Sequence, residues 1–308
     1  MRRRKKSALQ SGVDGQTRQF GARLGVMILA GQAAAPLRSC IRYYYQVQDR
    51  VGASSARQPV PARSPQIIEF TFGSPYRIQR FDGPAYEDAH RIALVGSQTH
   101  RRVDLHLSGA IDAFTIAFEP GGFRTLFDVP VDELTNRDVD GRAVIGREVS
   151  ELHERLAAAR TFELRIEAAN RFLGARLPSP DPVSPTVWAA RALHRNGGGA
   201  SVSDLAASVE LGVRQFERLF KEEIGMPPKL YARVVRFEAA LREKAAGPKR
   251  LWTEIAHDLG YFDQMHMVHD FNRLSGASPS VICEQLDMFV RPEVQADRSR
   301  EASASKVG

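Results

Sequence analysis

The hydrophobic pattern of the chain changes period near residue 147. Before that point, from about 37 to 146, the apolar residues come in short runs at 41–47, 67–72, 92–95, 103–107 and 111–118. These runs are rich in Val, Ile, Phe and Tyr, and turn formers bound them: Ser64-Pro65, Gly73-Ser74-Pro75, Asp82-Gly83-Pro84, Ser108-Gly109 and Pro120-Gly121-Gly122. The run 103–107 alternates apolar and polar residues, as a half-buried strand does. Short strands at this spacing predict a small β-barrel or sandwich. After residue 147 the period lengthens. Val149, Leu152 and Leu156, then Phe162, Ile166, Ala169, Phe172 and Leu173, recur three and four apart, which predicts helices with one apolar stripe. The stretch PSPDPVSP at 178–185 breaks helix and offers little to bury, so it reads as a linker. A helix is expected at 186–195, stopped by Gly197-Gly198-Gly199, and helical texture continues to about 286.

The pattern therefore predicts an α+β chain of two domains. A basic leader (1–36) precedes a β-rich domain with C-terminal helices (37–177). The linker (178–185) leads to an all-α domain (186–290), and a polar, charged tail (291–308) follows. Leader and tail are expected to be disordered.

The helical domain repeats itself. SDLAASVELGVRQFERLFKEEIGMPP at 203–228 and TEIAHDLGYFDQMHMVHDFNRLSGASP at 253–279 carry the same punctuation. Phe220 and Phe271, Gly225 and Gly276, and Pro228 and Pro279 are each 51 apart. Leu205/Ile255 and Ala206/Ala256 are 50 apart, so the second copy has one extra residue in its turn. Each copy reads as a helix-turn-helix. A short first helix presents Leu205, Ala206 and Val209, with Ser203 expected as its N-cap. The small Ala206 and Ala256 allow a close crossing by the second helix. That second helix starts near Gly212 and buries Phe216, Leu219 and Phe220 in copy one, and Met267 and Phe271 in copy two. Arg214, Glu217 and Arg218 share the opposite face at i, i+3 and i+4. Gln264, Met265, Val268 and His269 do so in copy two. Such helices, near 213–223 and 264–273, fit a major groove, where Arg pairs with guanine and Gln with adenine. Between the copies, 230–246 reads as one helix, stopped by Gly247-Pro248. Two reading heads joined in this way would occupy successive major grooves about 34 Å apart.

These two stretches, with the intervening KLYARVVRFEAA, resemble the DNA-binding domain of AraC/XylS transcriptional regulators over about a hundred residues. The resemblance implies two helix-turn-helix units joined by a helix on adjacent major grooves. By position it puts base-facing roles on Arg214, Glu217 and Arg218, and on Gln264, Met265, Val268 and His269. Gly212 stands where the family usually has a capping Ser, which implies a looser first unit. Met265 and Val268 are apolar, which suits thymine methyls or DNA shape. IEFTFGSPYRI and the following GSQTHRRVDLHLSGAIDAFTIAFEPGGFRTLFDVPVDELTNRDVD are similar to a sensing domain of some of these regulators, which implies effector binding or dimer contact.

Charge modifies this picture. The 308 residues carry a formal net charge of +7, which permits a polyanionic partner. Residues 183–290, however, hold 13 Lys/Arg and 13 Asp/Glu. Positive charge must then be segregated by face, with Lys221, Lys229, Arg233 and Arg273 toward phosphates and a shallow salt dependence. Double-stranded DNA is the expected partner. A small-molecule effector, a homodimer and, for an activator, RNA polymerase are further expectations. No stretch is apolar for the eighteen or so residues a membrane helix needs. Seventeen residues separate the basic start from the weak run at 24–30, which argues against an export signal. A cytoplasmic protein is expected.

Other chemistry is weaker. His100, His106 and Glu119 raise a cupin-like metal or small-molecule enzyme with a helical assembly domain as the alternative, but their spacing is poor for a metal site. His266 and His269, at i and i+3, suit a DNA-facing surface better than a metal. Asp128, Asp132, Glu133, Asp138 and Asp140 read as a solvated cluster. Tyr43, Tyr44 and Tyr45 read as strand packing, with a pocket wall as the other option. Ser97 and Ser108 lack a nucleophile elbow, no phosphate loop is present, and Cys40 and Cys283 sit in apolar settings that favour inert thiols. Neither an enzyme nor a cofactor is expected.

Overall fold

The computed structural model describes residues 27–83, 86–179 and 183–287. The first 26 residues of the expected leader, the middle of the linker and the tail lie outside them. The N-terminal half forms one antiparallel sheet. Its strands are β1 (Met27–Gly31), β2 (Ile41–Val60), β3 (Ile67–Thr71), β4 (Arg77–Arg80), β5 (Glu87–Asp88), β6 (Ile92–Val95), β7 (Val103–Phe118) and β8 (Asp138–Asp140). The order is β1-β2-β7-β3-β6-β8, and β4 joins β7 to β5.

Three expectations need correction. Residues 27–31 belong to the sheet and not to a disordered leader: Ile28 faces Val47, and Leu29 is buried in the core. The two runs at 103–107 and 111–118 are one strand, because β2 pairs with β7 on both sides of Ser108, with a register irregularity between Val51 and Ala56. Ser108-Gly109 marks a bend and not a turn. Gly109 has φ +72°, a conformation open mainly to glycine. The bend lets β7 pair with β4 on one half and with β3 on the other. Finally, β2 runs on to residue 60, through a polar stretch that periodicity alone does not mark as strand.

The sheet curls. Arg80 on β4 donates to both carboxylate oxygens of Asp138 on β8, at 2.6 and 2.8 Å, which ties two ends of the sheet together. One face is covered by α1 (Gly122–Phe127), α2 (Gly141–Ile145), α3 (Arg147–Ala158) and α4 (Phe162–Gly174). The expected stripe of Val149, Leu152, Leu156, Phe162, Ala169, Phe172 and Leu173 packs there on Tyr44, Phe70, Phe114 and Phe118, with Ile166 at its margin. A buried polar tie crosses this core. Arg165 donates to Gln46 Oε1 at 2.7 Å and to Asp112 at 2.6 and 3.0 Å, and its guanidinium lies over the Phe72 ring. Buried charges persist only when paired in this way.

The C-terminal half is α5 (Pro185–Arg195), α6 (Val202–Ser208), α7 (Val213–Ile224), α8 (Pro228–Ala246), α9 (Trp252–Asp258), α10 (Gln264–Ser275) and α11 (Pro279–Asp287). The N-cap of α6 is Ser201, not Ser203: its Oγ accepts from the Asp204 amide. Phe216, Phe220, Phe237, Met267 and Phe271 are fully buried in one core, and Ala206 and Ala256 lie beneath the crossing helices as their size requires. Leu219 is only half-buried.

Candidate nucleic-acid interface

The two helix-turn-helix units are α6–α7 and α9–α10. Both turns close alike. The Leu211 amide donates to the Ala206 carbonyl at 3.0 Å, and the Tyr261 amide to the Ala256 carbonyl at 2.9 Å. The second helices differ at their starts. Gly212, the N-cap of α7, offers no side-chain acceptor. Asp263, the N-cap of α10, accepts from the His266 amide at 2.7 Å. A capping side chain of this kind is worth about 1 kcal/mol over alanine.

Arg214, Glu217 and Arg218 are exposed on α7, and Arg218 donates to Glu222 Oε1 at 2.9 Å. On α10, Gln264, Met265 and His269 are exposed and Val268 is partly buried. All seven expected base-facing residues thus lie on outward faces, while Phe216, Phe220, Met267 and Phe271 point inward. Lys221, Lys229 and Arg273 are exposed. Arg233 is engaged within the domain. Its Nε and Nη2 donate to Asp270 Oδ1 at 3.1 and 2.6 Å, and Asp270 is 1% exposed. This pair locks α8 against α10.

The neutral balance of the domain is resolved by where its acids go. Asp270 meets Arg233, and Glu243 and Asp258 meet Arg250. Glu223 accepts from Ser184 and Thr186 at the start of α5. Glu254 and Asp263 cap α9 and α10. These carboxylates brace the fold or its helix ends, whereas Glu217 stays on the outward face of α7 and Glu222 meets Arg218.

Hydrophobic periodicity carries no sign of how the sheet domain meets the helical domain. Alternate residues of the β2–β3 connection reach three helices in turn. The Ala62 amide donates to the Leu274 carbonyl at the end of α10, at 2.9 Å. The Ser64 amide and Oγ each donate to the Glu238 carboxylate on α8, at 2.7 Å. Gln66 Nε2 donates to the Ile224 carbonyl at the end of α7, at 3.4 Å. The segment is anchored behind by Ser97 Oγ, which donates to the Ser64 carbonyl at 2.7 Å. Two more donors reach the last turn of α7: Thr135 Oγ1 to Gly225 at 2.6 Å and Arg124 Nη1 to Glu222 at 3.2 Å. The last carbonyls of a helix have no partner within it; here the sheet domain supplies several. Burial raises the Glu238 carboxyl above the usual range, against the pull of Arg42 and Ser64. Burial also opposes charge on Arg42, but the surrounding acids, Glu119 foremost, win and raise its pKa.

The residues of the metal alternative are dispersed. His100 bonds Thr99, His106 bonds Gln79 and Glu119 faces Arg42. Among the described residues no group of three or more His, Cys, Asp or Glu could hold a metal ion. Asp138 and Asp140 of the acidic cluster pair with Arg80 and Arg142. Cys40 and Cys283 are buried, and burial pushes the Cys40 thiol up. Among the described residues no helix is long and apolar enough to cross a membrane.

A duplicated helix-turn-helix with exposed second-helix faces is the apparatus of a DNA-binding transcription regulator, and that is the class of this chain. Residues 205–285 match the model of a helix-turn-helix domain, and residues 31–140 match a domain of unknown function, DUF6597. That helix-turn-helix model is of the AraC type, and it covers the two units α6–α7 and α9–α10. No curated protein matches the chain. Among solved structures, ToxT from Vibrio cholerae O395 is 12% identical with a TM-score of 0.45, over 79% of this chain and 96% of that one. Unsaturated-fatty-acid-bound ToxT from Vibrio cholerae strain SCE256 is 10% identical with a TM-score of 0.44, over 85% and 96%. The AraC-like transcriptional activator CuxR is 12% identical with a TM-score of 0.29, over 70% and 80%.

Proposed function

We propose that this regulator reads specific DNA in two adjacent major grooves, with α7 and α10 as recognition helices, and that its sheet domain modulates the reading. The observation that carries this is the pair of outward faces, Arg214/Glu217/Arg218 and Gln264/Met265/Val268/His269, on two copies of one unit. The rigid α8 between them, about 28 Å long at 1.5 Å per residue, fixes their separation. Lys221, Lys229 and Arg273 take phosphates. Arg233 acts through Asp270 by positioning α10. Modulation runs through the 62–66 segment: an effector or a second copy bound to the sheet domain shifts that segment and the helix ends it holds. A small molecule is the effector class, and RNA polymerase is the further partner if the protein activates. The protein acts in the cytoplasm.

Selection of genomic fragments by the purified chain near physiological salt tests this reading. One motif with two half-sites about ten base pairs apart is the expected result. On that motif Arg218→Ala costs about 1–3 kcal/mol and relaxes one base position. Uniform weakening of Arg218→Ala on all DNA sequences would remove its base-reading role.

A further inference from the structure

The two copies are 50 apart in their first helices and 51 apart in their second, and the structure locates the extra residue. Glu210 (φ 56°) and Gly260 (φ 67°) occupy the same left-handed position in the two turns. Leu211 and Tyr261 close those turns with the same hydrogen bond. In copy one the N-cap Gly212 follows at once. In copy two Phe262 stands between Tyr261 and the N-cap Asp263. The inserted residue is thus Phe262.

A phenylalanine just before an N-cap ordinarily packs on the fourth helical residue. Here that residue is Met267, which is fully buried, while Phe262 is 92% exposed. Tyr261 already fills the inner position and is 6% exposed. Phe262 therefore serves no packing inside the fold. It stands at the N-terminal tip of α10, three residues before Met265, which is 71% exposed. Both are apolar, and both flank Gln264 at the end of the helix that enters the groove.

We propose that Phe262 and Met265 together form an apolar tip that packs on thymine 5-methyl groups in the half-site read by α10. The proposal rests on the DNA-reading function above. The thymine methyl is the one apolar group on a base edge in the major groove, and apolar side chains recognise it there. The continuity of Phe262 with the base-facing side of α10 favours DNA over a protein partner. The second half-site then specifies A·T pairs through shape and methyl burial, where the first uses the charged Arg214, Glu217 and Arg218.

The test uses the full-length chain and the duplex that it enriches from a random pool. A second duplex has deoxyuridine in place of thymidine in the α10 half-site only. Removing the methyls should weaken the wild type about 4-fold for each buried methyl, from the transfer energy of one methylene. Phe262→Ala should lose affinity on the thymine duplex by a similar factor, lose almost nothing further on the deoxyuridine duplex, and keep the wild-type urea midpoint. That non-additivity is the signature of a direct contact. Equal losses on both duplexes would overturn the methyl contact. Unchanged binding with lost transcription activation in vitro would assign Phe262 to a protein partner and overturn the proposal. Failure of the wild type to enrich any sequence would overturn the DNA reading itself, a separate outcome from a motif that ignores Phe262.

Discussion

Gly225 and Gly276 end α7 and α10 in the same left-handed conformation, with φ +95° and +71°. They are internal controls for one another. Alanine at either position meets the left-handed penalty, roughly 1–2 kcal/mol. Either substitution also restricts the unfolded chain to a similar degree. These terms cancel in a comparison, and the neighbours do not. A Cβ on Gly276 would find its nearest atom, Arg101 Cδ, at 3.8 Å, an ordinary contact. A Cβ on Gly225 would lie 2.7 Å from Thr135 Oγ1 and 3.1 Å from the Val131 carbonyl oxygen. Thr135 must move, and its 2.6 Å bond to the Gly225 carbonyl is lost. Leaving a buried carbonyl without its donor costs about 1–3 kcal/mol. Gly225→Ala should therefore exceed Gly276→Ala by about that amount, read as the difference in urea midpoints of the full-length variants at unchanged m. Thr135→Ala should cost about 1 kcal/mol alone and add little to Gly225→Ala, because both remove one contact. Equal costs for the two glycine variants, or additivity with Thr135→Ala, would refute the docking of α7 on the sheet domain.

Arg233 and Arg273 should separate by assay. Arg233→Met strands the buried Asp270 and should lower stability by about 3 kcal/mol, leaving the salt slope of DNA binding unchanged in protein that remains folded. Arg273→Gln should leave stability unchanged and reduce the slope by about 0.9; the reverse pattern would exchange their roles. Glu238 gives a pH test. Its folded pKa is raised by burial, so its stabilising contribution is full below the ordinary glutamate range and declines as pH rises through the folded value. The wild type should therefore lose stability relative to Glu238→Gln over that rise. A constant difference from pH 4 to pH 8 would mean that Glu238 does not titrate differently on folding.

What the sequence revealed follows the range of the interactions involved. The helix-turn-helix pairs were legible because a 3.6-residue period, an αL glycine and a proline are local signals, and duplication repeated them. Their inward and outward faces follow from the same period. The leader boundary failed because 27–31 is a short edge strand whose partner, β2, supplies the order. Ser108-Gly109 is a local turn signal, but pairing to β2 on both sides carries one strand across it. The role of Arg233 was invisible because its partner is 37 residues away, although Asp270 beside the inward-facing Phe271 was a clue: an acid in a buried stripe needs a cation. The meeting of 62–66 with the helical domain left no periodic trace at all, since those contacts use backbone groups and one serine and one glutamine.

Those contacts give the proposed modulation a physical route from the sheet domain to the helical domain. Helices α7 and α10 offer their N-terminal turns outward, while the ends that face the protein are helix C-termini, where carbonyls lack partners within the helix. Ala62, Ser64 and Gln66 supply donors to α10, α8 and α7 from a single extended segment, and alternation along that segment puts all three on one side. Each such bond is worth about 1 kcal/mol net, with the carboxylate pair on Glu238 stronger. Their sum, roughly 5 kcal/mol, exceeds a typical allosteric coupling energy of about 1–3 kcal/mol, so loosening only part of the set is enough. A displacement of the strand ends that carry this segment would therefore act on both readers and on the helix that spaces them. The two heads would move as one unit, and a change of half-site spacing would need α8 itself to bend.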